Sequence, residues 1–91
     1  MLERDVMAYL KKRVKEQGGE VRKLKWIGRS HAPDVLVLLP GNSFFIEGKR
    51  PGAAARPGQV REHVRLRDSG LRVVVVDSKE AVNIILRGYL K

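Results

Sequence analysis

Cysteine is absent from the 91 residues of this chain, which excludes a disulfide framework and a thiolate metal site and leaves the redox compartment unconstrained. Only two histidines occur, so a zinc cluster of nitrogen and sulfur donors is missing as well. There is no internal repeat and no low-complexity segment. Nor is there a long apolar run at the start: MLERDVMAYLKKRVK carries charges at positions 3 to 5 and again from Lys11, which fits neither a signal peptide nor a membrane span. A soluble, intracellular protein of the cytoplasm is the expectation, built as one domain over residues 1–91 with a single modest core.

Acidic residues are the minority charge, 10 against 19 lysines and arginines, for a formal net charge of +9. A surface this positive attracts a polyanion, of which nucleic acid is the commonest. The plainer alternative is a basic composition that serves solubility or suits a ribosome-associated protein.

Leu2, Val6, Leu10 and Val14 recur every four residues with lysine and arginine between them, so Leu2 to about Gln17 reads as a helix stopped by Gly18-Gly19. Val21, Leu24 and Trp26 among basic residues suggest a half-exposed strand over Glu20 to Ile27. Asp34 to Leu39 and Phe44 to Lys49 are continuous apolar runs, as in strands buried on both faces. "RPGAAARPG" reads as a basic loop, followed by a helix from Gln59, with Pro57 near its first turn, to Ser69-Gly70. Leu71 to Val76 is another buried strand. Asp77 and Glu80 have capping-box spacing ahead of a last helix. The order is α-β-β-β-α-β-α.

A hairpin over Pro40 to Ser43, with either a two-residue Gly41-Asn42 loop or a four-residue one, pairs Leu39 with Phe44. Leu36 then lies opposite Glu47, and Asp34 opposite Lys49. All three charges converge on one face at the end away from the turn, while Val35, Val37, Leu39, Phe44 and Ile46 form an uncharged face for a helix. Asp34 and Glu47 become diagonal neighbours, about 7–8 Å apart at the backbone, close enough for both side chains to reach one cation. Two carboxylates, waters and a substrate phosphate describe a Mg2+ or Mn2+ site. A cross-strand salt bridge between Asp34 and Lys49, with Glu47 a spare charge at a sheet edge, is the alternative. Two features favour the metal: Glu47 and Lys49 lie in a run that reads as buried, where unpaired charge is expensive, and Gly48 removes a side chain where a carbonyl can approach an ion or DNA.

"PD", a gap and "EGK", here Pro33-Asp34 and Glu47-Gly48-Lys49, resemble the PD-(D/E)xK nuclease signature. Together with Glu3 in the first helix, "HAPDVLVLLPGNSFFIEGKRPG", Gln59 opening a helix and "SGLRVVVVDSKEAV", nearly the whole chain resembles the virus-type replication-repair nuclease (VRR-NUC) domain of stand-alone phage and bacterial type. The resemblance implies an α/β fold with a restriction-endonuclease-like mixed β-sheet flanked by helices. It implies that Asp34 and Glu47 bind the metal, that the Gly48 carbonyl adds a ligand and that Lys49 orients or helps deprotonate the attacking water. Glu3 would approach from the first helix, directly or through water, and Gln59 would steady water at the ion or the lysine. Two departures stand out: family members more often have a bulky residue where Gly48 stands and a glycine in the loop where His31-Ala32 stands.

Without the resemblance, Glu3 also fits the ordinary preference for an acid in a first helical turn, although it shares a face with Val6, Met7 and Leu10. Gln59 alone could be a surface residue at a helix start. Arg50, Arg56, Arg61, Arg65 and Arg67 form one basic run, and Arg22, Lys23, Lys25 and Arg29 another. Either they are a solvated surface or they contact phosphates without reading sequence. His31 and His63 read as a loop residue and a helix-face residue, and Trp26 as core or a dimer contact. The leading expectation is a metal-dependent, structure-selective DNA endonuclease acting on branched DNA such as four-way junctions as a homodimer. The alternatives are a non-catalytic nucleic-acid-binding module and a general DNA nuclease or nickase.

Overall fold

Val6, Leu10 and Val14 turn one stripe of the first helix, α1 (Glu3–Glu16), fully into the interior. The computed structural model describes residues 2–89. Asp5 in the first turn of α1 accepts the Leu2 N–H at 3.0 Å, satisfying a backbone donor the helix itself leaves free. The chain then forms β1 (Glu20–Lys23), which pairs antiparallel with β2 (Val35–Leu39) from Glu20↔Leu38 to Lys23↔Val35. Here β1 is shorter than the expected Glu20 to Ile27. Its partner begins at Val35, and after one more bond, Leu24 N–H to the Asp34 carbonyl at 3.0 Å, no strand remains for residues 25–33 to pair with.

β3 (Asn42–Gly48) follows at once, and the hairpin register differs from the expected one: Leu39 pairs with Asn42, not Phe44, and Val35 with Ile46. The turn is Pro40-Gly41. Proline presets the first turn position and Gly41 supplies φ 75° at the second, so Asn42 and Ser43 are left to the strand. The slip is two residues, an even number, and every side chain keeps its expected face.

After α2 (Pro57–Asp68), β4 (Val73–Val76) returns parallel to β3 and leads into α3 (Lys79–Tyr89), completing a sheet ordered β1-β2-β3-β4. The element order and the mixed sheet with flanking helices are those expected. Two helix starts shift. Pro57 itself is the first residue of α2, where a missing N–H costs nothing. At α3 the Ser78 hydroxyl, rather than Asp77, accepts the Ala81 N–H at 3.0 Å.

Val35, Val37, Leu39, Phe44 and Ile46 pack with Val76 and with Val6, Leu10 and Val14 of α1 and Val82 and Leu86 of α3 to form the core. The opposite face of β2 and β3 carries Leu36, Leu38 and Phe45, which are only half-buried. The expected burial on both faces is therefore complete on one side alone, because α2 and Trp26 cover the second face more thinly. No helix among the described residues is long and apolar enough to cross a membrane.

Candidate metal centre

One step beyond the Val35↔Ile46 pair, Asp34 faces Glu47. The two carboxylates are thus closer than the diagonal arrangement expected from the sequence, and Lys49 is not opposite Asp34. Glu3, in the first turn of α1, joins them. One carboxylate oxygen each from Glu3, Asp34 and Glu47 all lie within 4.8 Å of one another. Glu3 is exposed, Asp34 half-buried and Glu47 buried, so the cluster runs from the surface into the interior.

Each inner carboxylate is held by a neighbour. The Gly48 N–H donates to Asp34 Oδ2 at 2.8 Å. Gln59, buried in the first turn of α2, accepts the Arg56 N–H at 2.9 Å through Oε1 and donates from Nε2 to Glu47 Oε2 at 3.3 Å. The backbone of the helix start therefore fixes which end of the amide Glu47 meets. Lys49 is anchored through its own N–H to the Val76 carbonyl at 2.8 Å and brings Nζ to 3.9 Å from Glu47 Oε2. Glu3, Lys49 and Arg50 border an open hollow of about 450 Å³ together with Leu2, Arg4 and Ala53-Ala54.

Burial, and then the charge of Asp34, push the Glu47 carboxyl up from 4.5 to about 7 against the pull of Lys49. Three acids gathered round one ammonium are short of positive charge. A hard divalent cation held by oxygen ligands would supply it, so the donor set fits Mg2+ or Mn2+.

Gly48 has a packing reason of its own. A Cβ there would lie 2.3 Å from Met7 Sδ; Met7 of α1 fills the space that a larger residue between Glu47 and Lys49 would occupy. His31 holds φ 72°, the one left-handed non-glycine among the described residues, a conformation that favours glycine. Its ring lies against Gly58, where a Cβ would come within 2.3 Å of Nε2.

Two features of this region were hidden in the sequence. His63, expected only as a helix-face residue, is buried with Nε2 at 3.9 Å from Glu47 Oε1. Burial, then the charge of Arg67, hold its imidazole below the usual value of 6.5. Its place four residues after Gln59, on the same side of α2, is the signal that could have found it. Glu62 is the second: a buried carboxylate that accepts Trp26 Nε1–H at 2.7 Å and meets Arg29 at 3.0 Å and Arg65 at 3.4 Å. Trp26 also meets Phe45 edge-on with ring centroids 6.5 Å apart. The loop before Asp34 is pinned to α2 by these contacts.

The basic residues divide accordingly. Arg29 and Arg65 are engaged with Glu62, Arg22 pairs with Glu20 at 2.6 Å, and the Arg67 guanidinium holds the Val73 carbonyl. Lys23, Lys25, Arg50, Arg56 and Arg61 are exposed.

A scan against models of known protein families finds no match. A protein of Acyrthosiphon pisum secondary endosymbiont phage 1, "Putative nuclease p44", is 39% identical over 84 residues, covering 91% of this chain and 90% of its own length. A solved structure described as a VRR_NUC domain superposes with a TM-score of 0.89 at 44% identity over 96% of both chains. With likeness of this extent in both sequence and fold, the chain belongs to the VRR-NUC family.

Proposed function

We propose that the chain is a Mg2+- or Mn2+-dependent DNA endonuclease that hydrolyses phosphodiester bonds, acting on branched DNA as a homodimer. The observation that carries this reading is the meeting of Glu3, Asp34 and Glu47 oxygens within 4.8 Å. Asp34 and Glu47 would hold the ion with the Gly48 carbonyl, and Glu3 would complete the set from α1 directly or through water. When bound, a divalent cation polarises a phosphoryl oxygen and makes water a better nucleophile near neutral pH.

The chain's own groups do the rest. Lys49 lies beside Glu47, where its ammonium can orient the attacking water, favour loss of that water's proton to solvent through its positive charge and offset charge developing on the phosphate. Gln59 keeps Glu47 turned toward the cluster. Gly48 does the same for Asp34 through its N–H. In-line attack of water on phosphorus breaks the bond to the 3′ oxygen and leaves a 5′-phosphate and a 3′-hydroxyl. Lys23, Lys25, Arg50, Arg56 and Arg61, all exposed, would bind phosphates and read no sequence. Arg29 and Arg65 would contribute through the field they share with Glu62.

Homodimerisation and branch preference rest on symmetry: one chain offers one site, and two nicks on a branched duplex need two sites at a fixed separation. The test is cleavage of synthetic four-way junctions, matched linear duplexes and plasmid in Mg2+, Mn2+ or chelator. Wild type should cut junctions in preference to duplex only with metal, and Asp34→Ala and Lys49→Ala should abolish cutting. Equal cutting of duplex and junction would remove the branch preference; undiminished cutting by either variant would remove the site assignment.

A further inference from the structure

Two buried polar atoms behind the carboxylate cluster have no hydrogen-bond partner, Glu47 Oε1 and His63 Nε2. They face each other at 3.9 Å from side chains 3% and 2% exposed. That gap is too wide for a direct hydrogen bond, and a water about 2.8 Å from both atoms would meet them at roughly a right angle, tighter than its tetrahedral preference. Orphaned polar atoms are rare in a native interior, and two that point at one another form an unmade contact.

The other oxygen of Glu47 is already engaged: Gln59 donates to Oε2, and Lys49 lies on the same side. Gln59 and His63 stand one helical turn apart on α2, so the helix presents one group to each oxygen of the carboxylate. His63 does not share the mutual proximity of Glu3, Asp34 and Glu47, which argues against direct ligation. An imidazole can also donate a hydrogen bond while uncharged near neutral pH, where lysine and arginine ordinarily carry a positive charge. A donor of that kind steadies a carboxylate without repelling a cation beside it.

We propose that His63 is a positioning residue of the metal centre: when Glu47 turns to hold a divalent cation, His63 Nε2–H closes onto Oε1 and fixes the carboxylate's orientation. The inference rests on the reading of the cluster as a cation site. Hydrogen bonds to ligating carboxylates of this sort govern how firmly the ion is held.

The experiment is Mn2+ binding to the purified full chain, followed by electron paramagnetic resonance, for wild type, His63→Leu, His63→Gln and Asp34→Asn. Nitrogen NMR of the imidazoles during Mg2+ addition to wild type accompanies it. His63→Leu keeps the bulk and removes the donor, so Mn2+ affinity should fall about 10–100-fold. His63→Gln restores a donor within reach and should return most of the affinity. In wild type, Mg2+ should bring the His63 Nε2–H into a hydrogen bond, seen as a shifted and slowly exchanging resonance. Wild-type affinity in His63→Leu would overturn the proposal. Equal weakness in both His63 variants would reduce His63 to packing and overturn it too. Should His63→Leu fail to fold, the NMR decides, and a His63 resonance unmoved by Mg2+ sinks the idea. If Asp34→Asn binds Mn2+ like wild type, the cation site itself is misplaced and this inference falls with it.

Discussion

Glu47 sits in the interior beside Asp34, and its charge is opposed by both circumstances. With its folded value near 7 and its ordinary value at 4.5, the sign of the pH effect follows. Below the lower value both folded and unfolded chains are protonated. Between the two, the folded chain keeps a proton that the unfolded chain has released, so this contribution to stability is lost as pH rises to about 7 and is level above. In chelating buffer, the urea midpoint of wild type should therefore drop relative to Glu47→Gln between pH 5 and pH 8; parallel midpoints would contradict the assignment. Gly48 makes a second prediction at this scale. Gly48→Ala collides with Met7 and should cost about 1–3 kcal/mol of overpacking, recovered in part when combined with Met7→Ala. Additive losses in the double-mutant cycle would show that the two positions do not share the space.

Among the elements, α2 carries more of the site than its sequence suggests. Gln59, Glu62 and His63 are its buried polar residues, and each faces either Glu47 or the loop ahead of Asp34. Trp26→Phe keeps the ring against Phe45 but removes the N–H from a buried oxygen of Glu62, and should cost about 1–3 kcal/mol. Chemical unfolding checks the value, and a change within about 0.5 kcal/mol would make the contact incidental. The contrast between α2 and the sheet also explains what could be read beforehand. Apolar periodicity marks α1, β2, β3 and β4 because their faces answer to one core, and the parity of the strands placed Asp34 and Glu47 on one side for any turn with an even number of residues. The register itself was not legible: Pro-Gly and Gly-Asn are both turn pairs, and only the chain's closure on Pro40-Gly41 brings Asp34 opposite Glu47. His63 and Glu62 were only partly legible, for another reason. The spacing from Gln59 to His63 puts both on one side of α2, but the burial of His63 and Glu62 depends on partners 16 residues or more away in sequence, Glu47 and Trp26, which local spacing does not identify.

At the level of the whole molecule, a charge of +9 sets long-range attraction to DNA, yet the arginines are not equivalent. Arg61 carries no ion pair among the described residues, whereas Arg29 and Arg65 share Glu62. Binding of labelled DNA in chelator across a salt series should show the slope of log affinity against log salt reduced by about 1 in Arg61→Ala. Arg29→Ala should change the slope less and weaken the pinned loop instead. Equal slopes for wild type and Arg61→Ala would take Arg61 out of the DNA surface. The central claim, that two facing strands and the start of a helix build a cation site, is tested most directly by anomalous diffraction from a crystal soaked in Mn2+. A single strong peak should stand between Asp34 and Glu47, about 2 Å from an oxygen of each. A peak elsewhere, or none with Mn2+ in excess, would contradict it.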